Sequence, residues 1–71
     1  MTPFQEFVQN MPHRCYATFR NMVKREMLAA EISISDQAFR NWERGVYEPD
    51  TAQKREIINR CAQAVVGKTI Y

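Results

Sequence analysis

Three side chains in the middle of the chain have the right chemistry to recognise the edges of nucleic-acid bases. Gln37, Arg40 and Asn41 are spaced so that a helix would place them on one face. Arginine can donate two hydrogen bonds to O6 and N7 of guanine, and asparagine or glutamine can bond N6 and N7 of adenine. These residue types at this spacing predict a helix face that could read bases in the major groove of DNA.

The helix that would carry these side chains has recognisable ends. Ser35 can act as its N-cap, because a serine oxygen accepts a hydrogen bond from a free amide one turn further on. Gly45 can end it, because glycine enters the left-handed C′ conformation without penalty. Phe39 and Trp42 share the opposite face. Since a helix over residues 36–44 is too short to be stable alone in water, we expect both rings to anchor it in a core.

Length and composition allow one small domain, covering residues 1–71. Apolar residues make up 45% of the chain and charged residues 25%, as in ordinary globular domains. A domain of this size buries only about 60% of its unfolded surface, so its core must use nearly all of its large apolar residues. The net charge of +2 at pH 7 is permissive for a polyanionic partner, but typical DNA-binding domains are more basic.

Other classes of function find little support in the sequence. Cys15 and Cys61 lie in apolar helical stripes, which predicts buried reduced thiols. With His13 as the only histidine, we expect no metal site and no cofactor. No serine or cysteine has an identifiable general base, so we expect neither an enzyme nor a small-molecule substrate. Because we find no membrane-spanning apolar run and no signal peptide, we expect a cytoplasmic protein without a membrane partner.

Apolar spacing predicts two helical regions before Ser35. The first covers residues 2–11, where Thr2 and Gln5 form a capping-box pattern and Pro3 suits the first helical position. In the second, residues 13–30, apolar side chains recur in steps of three and four. This spacing favours one continuous helix.

A last helix is predicted over residues 51–66. Asp50 and Gln53 form a second capping pattern before it, and Gly67 can end it. Residues 68–71 form a short tail that we expect to fray. Four or five helices with short connections and no hairpin signal predict an all-α orthogonal bundle.

Residues 25–42, closed by Gly45, resemble the helix-turn-helix of the lambda-repressor-like family (Cro and CI), which small phage and mobile-element proteins often carry. Leu28 and Ala29 take the apolar and small places of that motif, and Ser33 takes its turn place. Family members usually have glycine at the turn place because it needs a positive φ, which serine adopts at a cost of about 1 kcal/mol.

The end of the motif carries the closest resemblance. The run Trp42-Glu43-Arg44-Gly45, followed by Pro49, is similar to the end of the family's recognition helix. The family usually divides the region corresponding to residues 13–30 into two helices, so whether this region forms one helix or two stays open.

The resemblance implies a sequence-specific DNA-binding protein, acting as a transcriptional regulator, that inserts helix 36–44 into the major groove of double-stranded DNA. The implied base-reading residues are Asp36, Gln37, Arg40 and Asn41. The implied contacts to the DNA backbone are Lys24, Arg25, Ser35 and Arg44. Asp36 has a second interpretation, because a carboxylate is also favoured at a helix N-terminus.

One such module contacts few base pairs, so we expect a homodimer. The candidate dimer surface consists of apolar residues near the C-terminus: Val65, Val66, Ile70 and Tyr71.

The sequence leaves alternatives to DNA binding open. Arg40 and Arg44 are opposed by Asp36 and Glu43 on the same helix, and this near-neutral charge favours a helical module that keeps the helix-turn-helix shape but binds a protein. The polar residues could also form an ordinary solvated face. Tyr47 could pack on the core or face a partner.

Overall fold

Four helices and no strands make up the chain in the computed structural model, which describes residues 1–71. They are α1 (Pro3–Asn10), α2 (His13–Ala29), α3 (Asp36–Glu43) and α4 (Ala52–Val66). The predicted all-α class is confirmed, and the chain forms four of the four or five helices expected. In the bundle, α2 packs mainly on α4, and α1 packs on α3.

The N-terminus of α1 is capped as predicted. Thr2 Oγ1 accepts a hydrogen bond from the Gln5 amide at 3.1 Å, and Gln5 Oε1 accepts one from the Thr2 amide at 3.4 Å. Together they form a capping box, with Pro3 at the first helical position. This cap sets the direction in which α1 enters the core, where the ring of Phe4 is fully buried.

Residues 13–29 form one helix, which answers the question that the sequence left open. Phe19, Val23 and Met27 recur every four residues along α2 and are fully buried. Leu28 and Ala29 do not take the apolar and small places that the resemblance predicts. Both are exposed, Leu28 by 76%, because the buried stripe passes through Met27 instead.

The turn after α2 has its positive φ at Glu31 (60°), and not at Ser33 as predicted. The Glu31 amide donates to the Leu28 carbonyl at 3.0 Å, and the Ile32 amide donates to the Met27 carbonyl at 2.8 Å. These two bonds form a Schellman motif, in which the left-handed residue directly follows the C-cap. The chain has therefore already reversed before it reaches Ser33.

The last helix begins one residue later than the capping pattern predicts. Thr51 is its N-cap, and the threonine Oγ1 accepts from the Lys54 amide at 3.2 Å. Asp50 instead accepts a hydrogen bond from Lys54 Nζ at 2.9 Å. The buried residues of α4 are Ile57, Ile58, Cys61 and Ala62, and Gly67 ends the helix in the left-handed conformation as expected (φ 73°).

The C-terminal tail, which we expect from the sequence to fray, is docked along α4. Asn59 Oδ1 accepts from the Ile70 and Tyr71 amides, each at 2.9 Å, and Asn59 Nδ2 donates to the Tyr71 carbonyl at 2.9 Å. The Tyr71 hydroxyl donates to Glu48 Oε2 at 2.6 Å, and the Arg55 guanidinium lies 4.8 Å from the Tyr71 ring centroid. A single asparagine therefore holds the backbone of the last two residues.

Candidate nucleic-acid interface

The helix α3 begins at Asp36 as predicted and ends at Glu43, one residue earlier than predicted. Ser35 Oγ accepts from the Ala38 amide at 3.0 Å and caps the N-terminus. At the other end Gly45 has φ 75°, the Gly45 amide donates to the Trp42 carbonyl at 3.2 Å, and the Val46 amide donates to the Asn41 carbonyl at 2.9 Å. This second Schellman motif gives the helix a sharply defined length.

Aromatic packing fixes the orientation of α3. Phe39 and Trp42 are buried, as predicted, with ring centroids 5.7 Å apart. The Phe4 ring lies 5.8 Å from each of them in edge-to-face geometry. Edge-to-face aromatic pairs favour defined arrangements of the rings, so α1 determines which face of α3 points outward.

A polar contact from α1 also holds the end of α3. Gln5 Nε2 donates to the Arg44 carbonyl at 3.2 Å. A Cβ atom at Gly45 would lie 2.8 Å from Cδ of Gln5 and closer still to its Oε1. Glycine is therefore favoured at this position by its positive φ, and a Cβ here would also push the end of the Gln5 side chain away.

The outward face of α3 presents the predicted base-reading amides and an arginine. Gln37 and Arg40 are exposed and Asn41 is half-buried. Gln37 Nε2 donates a hydrogen bond to Asn41 Oδ1 at 3.2 Å. Each amide group can still hydrogen-bond a further partner, because the nitrogen carries two hydrogens and the oxygen two lone pairs.

Asp36, predicted to read bases, forms an ion pair with Lys24, predicted to contact the DNA backbone. The carboxylate accepts a hydrogen bond from Lys24 Nζ, and the Arg20 guanidinium lies 3.9 Å away. The Lys24 hydrogen bond, together with the charges of Lys24, Arg20 and Arg40, lowers the pKa of the Asp36 carboxyl. A predicted base-reading residue of α3 and a predicted backbone-contacting residue of α2 are therefore joined in one ion pair.

Sequence reasoning missed Arg20. Its guanidinium lies over the ring of Phe39, 5.7 Å from the centroid, and so bridges α2 and α3. The signal that could have found it is helical spacing, because Arg20 precedes Lys24 by one turn on the same face of α2.

The carboxylate of Glu43 is turned towards α2. It faces the Tyr16 hydroxyl, although the two groups do not meet hydrogen-bond geometry. Burial and this nearby carboxylate raise the pKa of Tyr16. With Glu43 turned inward and Asp36 paired to Lys24, Arg40 and Arg44 are exposed cations without a carboxylate partner. Arg40 and Arg44 are therefore accessible to an anionic partner.

Not all of the predicted backbone contacts come together. Ser35 and Arg44 lie at the two ends of α3, and Lys24 reaches the first residue of that helix. Arg25 is exposed on a different side of α2, where its charge acts on the Cys61 thiol of α4. The structure thus groups Lys24, Ser35 and Arg44 around α3 and leaves Arg25 apart from them.

Neither a protein-family model, nor a curated protein, nor a solved structure matches this chain. No group of three or more histidine, cysteine, aspartate or glutamate side chains lies close enough to hold a metal ion. No helix has both the length and the apolar character needed to cross a membrane. Function must therefore be inferred from the residues themselves.

A groove of about 530 Å³ lies beside α3, between the turn before it and the loop after it. Tyr47 lines this groove and is 62% exposed, and Val46 beside it is also exposed. The question that the sequence left open for Tyr47 is thereby answered, because its side chain faces solvent. This loop adds an apolar edge to an otherwise polar surface.

Proposed function

We propose that this protein is a sequence-specific DNA-binding protein and a transcriptional regulator or accessory protein. In this proposal α2 and α3 act as a helix-turn-helix within an orthogonal bundle of the lambda-repressor-like type, and α3 enters the major groove. Gln37, Arg40 and Asn41 read base edges, while Arg44 and Ser35 contact phosphates.

One observation carries this proposal: the outward face of α3 combines two arginines that have no carboxylate partner with a linked pair of amides. The aromatic rings on its inner face keep that surface rigid. Base reading depends on side chains that are held in place before binding.

The salt dependence of binding tests the proposal. We expect the protein to bind a fluorescent random-sequence duplex at low salt, with the logarithm of the binding constant falling by about 0.9 per phosphate contact for each unit of log salt concentration. Fluorescence anisotropy at several salt concentrations measures this slope. A folded protein that shows no binding at low salt would contradict the proposal.

Dimerisation is a separate part of the proposal. Two half-sites one turn of DNA apart are separated by about 34 Å, and the molecule measures 28 × 25 × 20 Å, so two copies side by side can span this distance. Val65, Val66 and Ile70 already pack partly on the core of their own chain, which leaves only their remaining surface for a second copy. Light scattering that shows a monomer at high micromolar concentration would remove the homodimer.

Exposed apolar residues favour a second candidate function, a helical module that binds a protein partner. Leu28, Val46 and Tyr47 are all more than half exposed. An interface centred on such residues should lose little affinity as salt rises, because salt screens exposed charges and leaves apolar contacts in place. The slope of the salt titration therefore distinguishes the two candidates.

A further inference from the structure

An ion cluster joins α2 to the beginning of α3. Lys24 Nζ donates to Asp36 Oδ1, and Arg20 Nη2 lies 3.9 Å from the same oxygen. Neither cation has another carboxylate partner. The side chains of Arg20 and Lys24 are about two-thirds buried, at 31% and 30% exposure, whereas that of Asp36 is 68% exposed. The anion is therefore the most accessible member of the cluster.

Arg20 also has a contact that does not depend on Asp36. Arg20 and Lys24 lie one turn apart on α2, and the Arg20 guanidinium is held over the buried ring of Phe39. Arg20 Nε is also buried without a hydrogen-bond partner. Two positive groups that lie together beside the proposed DNA-reading helix could bind one phosphate of the DNA backbone, since phosphate oxygens accept several charge-assisted hydrogen bonds. In the free protein, a carboxylate of the same chain already takes that place.

We propose that Arg20 and Lys24 form a binding site for a DNA phosphate and that Asp36 occupies it in the free protein as an internal substitute for that phosphate. This inference rests on the proposed DNA-binding function. Asp36 is then not a base-reading residue. It competes with the DNA backbone for two cations, which lowers the affinity for DNA of any sequence and reduces the number of phosphates that the bound protein neutralises.

Replacing Asp36 with asparagine tests this competition. Asp36→Asn keeps the size of the side chain and the Ser35 cap but removes the negative charge. If Asp36 competes with phosphate, the variant should bind a random-sequence duplex about three- to tenfold more tightly at low salt. Its plot of log binding constant against log salt should be steeper than that of the wild type by about 0.9 for each phosphate gained, so the advantage should shrink as salt rises.

Glu56→Gln is the matched control. It also removes one negative charge, but from an exposed position on α4 with no ion pair. If only net charge mattered, both variants would change the affinity and the slope equally. A second variant combines Asp36→Asn with Lys24→Gln. It should lose most of the affinity for DNA that Asp36→Asn gains, because the Lys24 ammonium that would bind the phosphate is absent. Circular dichroism checks that each variant keeps its helices.

The outcomes separate this inference from the proposed function. One outcome is that the wild type and Asp36→Asn both bind DNA with the same affinity and the same salt slope. This result would contradict the proposal that Asp36 occupies a phosphate site, but it would leave the proposed DNA binding intact. Weaker binding of Asp36→Asn would also overturn it, because Asp36 would then contact DNA directly. If no variant binds DNA at low salt, the proposed function fails and this inference fails with it.

Discussion

Gln37 Nε2 and Asn41 Oδ1 are 3.2 Å apart, so two amides on the outward face of α3 are linked one turn apart. The bond restricts the rotation of both side chains before any partner arrives. Restricting the rotation of a side chain in its bound form reduces the entropy lost on binding. The pair is thus better suited to recognition than two independent surface amides.

Because the amides act together, their replacements should not be additive. We expect Gln37→Ala and Asn41→Ala each to cost about 1–3 kcal/mol on the preferred duplex. The double variant should cost less than the sum of the two, since either change already releases the other amide. A double-mutant cycle by fluorescence anisotropy measures the coupling free energy. A coupling of zero would mean that the bond between the two amides has no role in recognition.

The two glycines with positive φ should differ in their tolerance of alanine. A left-handed alanine costs about 1–2 kcal/mol, and Gly67→Ala should cost only this, because nothing lies within 4 Å of the added Cβ. Gly45→Ala should cost more, because its Cβ would also crowd the Gln5 side chain. Thermal unfolding followed by circular dichroism measures both. Equal losses of stability would show that Gln5 moves away freely.

The position of the turn after α2 predicts opposite results for two glycine substitutions. Glu31→Gly should raise the free energy of unfolding by about 0.5–1 kcal/mol, because glycine adopts a φ of 60° without strain. Ser33→Gly should give no gain, since Ser33 has a negative φ and glycine adds entropy to the unfolded chain. Chemical denaturation measures the two changes. A gain from Ser33→Gly alone would place the turn where the resemblance predicts it.

Acid should weaken the link between α2 and α3. The Lys24 hydrogen bond and charge lower the pKa of Asp36 in the folded protein, below the value of about 3.9 for an unfolded chain. The unfolded state therefore binds more protons between these two pKa values, and stability rises with pH there. The contribution of Asp36 is present above about pH 5 and is lost as the pH falls through the folded pKa.

Melting temperatures between pH 7 and pH 2 measure this effect. In Asp36→Asn, the melting temperature should fall less between about pH 5 and pH 2 than it does in the wild type. Part of the fall should remain, because Lys54 similarly lowers the pKa of Asp50. A variant with Asp36→Asn and Asp50→Asn together should show a smaller fall still. The same fall in melting temperature in Asp36→Asn and the wild type would contradict the pairing of Asp36 with Lys24.

Features set by neighbouring residues were predictable from the sequence. The caps of α3 at Ser35 and Gly45 depend on the preferences of those residues, and both are where we expect them. The same local preferences fail where two adjacent residues are both suitable. Asp50 and Thr51 are both good N-caps. The structure uses Thr51, and the Asp50 carboxylate accepts a hydrogen bond from the Lys54 side chain.

Features that depend on how helices approach each other could not be read from the sequence. The pairing of Asp36 with Lys24 and the placement of Arg20 over Phe39 depend on where side chains of α2 meet α3 in the folded chain. The turn at Glu31 could not be predicted either, because an ordinary residue there adopts a conformation that usually selects glycine.

The most direct test of the account compares two exposed arginines on a preferred DNA sequence. A duplex is first selected from a random pool by the wild-type protein, and its affinity is then measured for Arg40→Ala and Arg60→Ala. Arg40 lies on the outward face of α3 and Arg60 on α4, and neither is in an ion pair. We predict that Arg40→Ala costs about 1–3 kcal/mol and that Arg60→Ala changes the affinity little. Failure to select any sequence, or equal losses for both folded variants, would contradict base reading by α3.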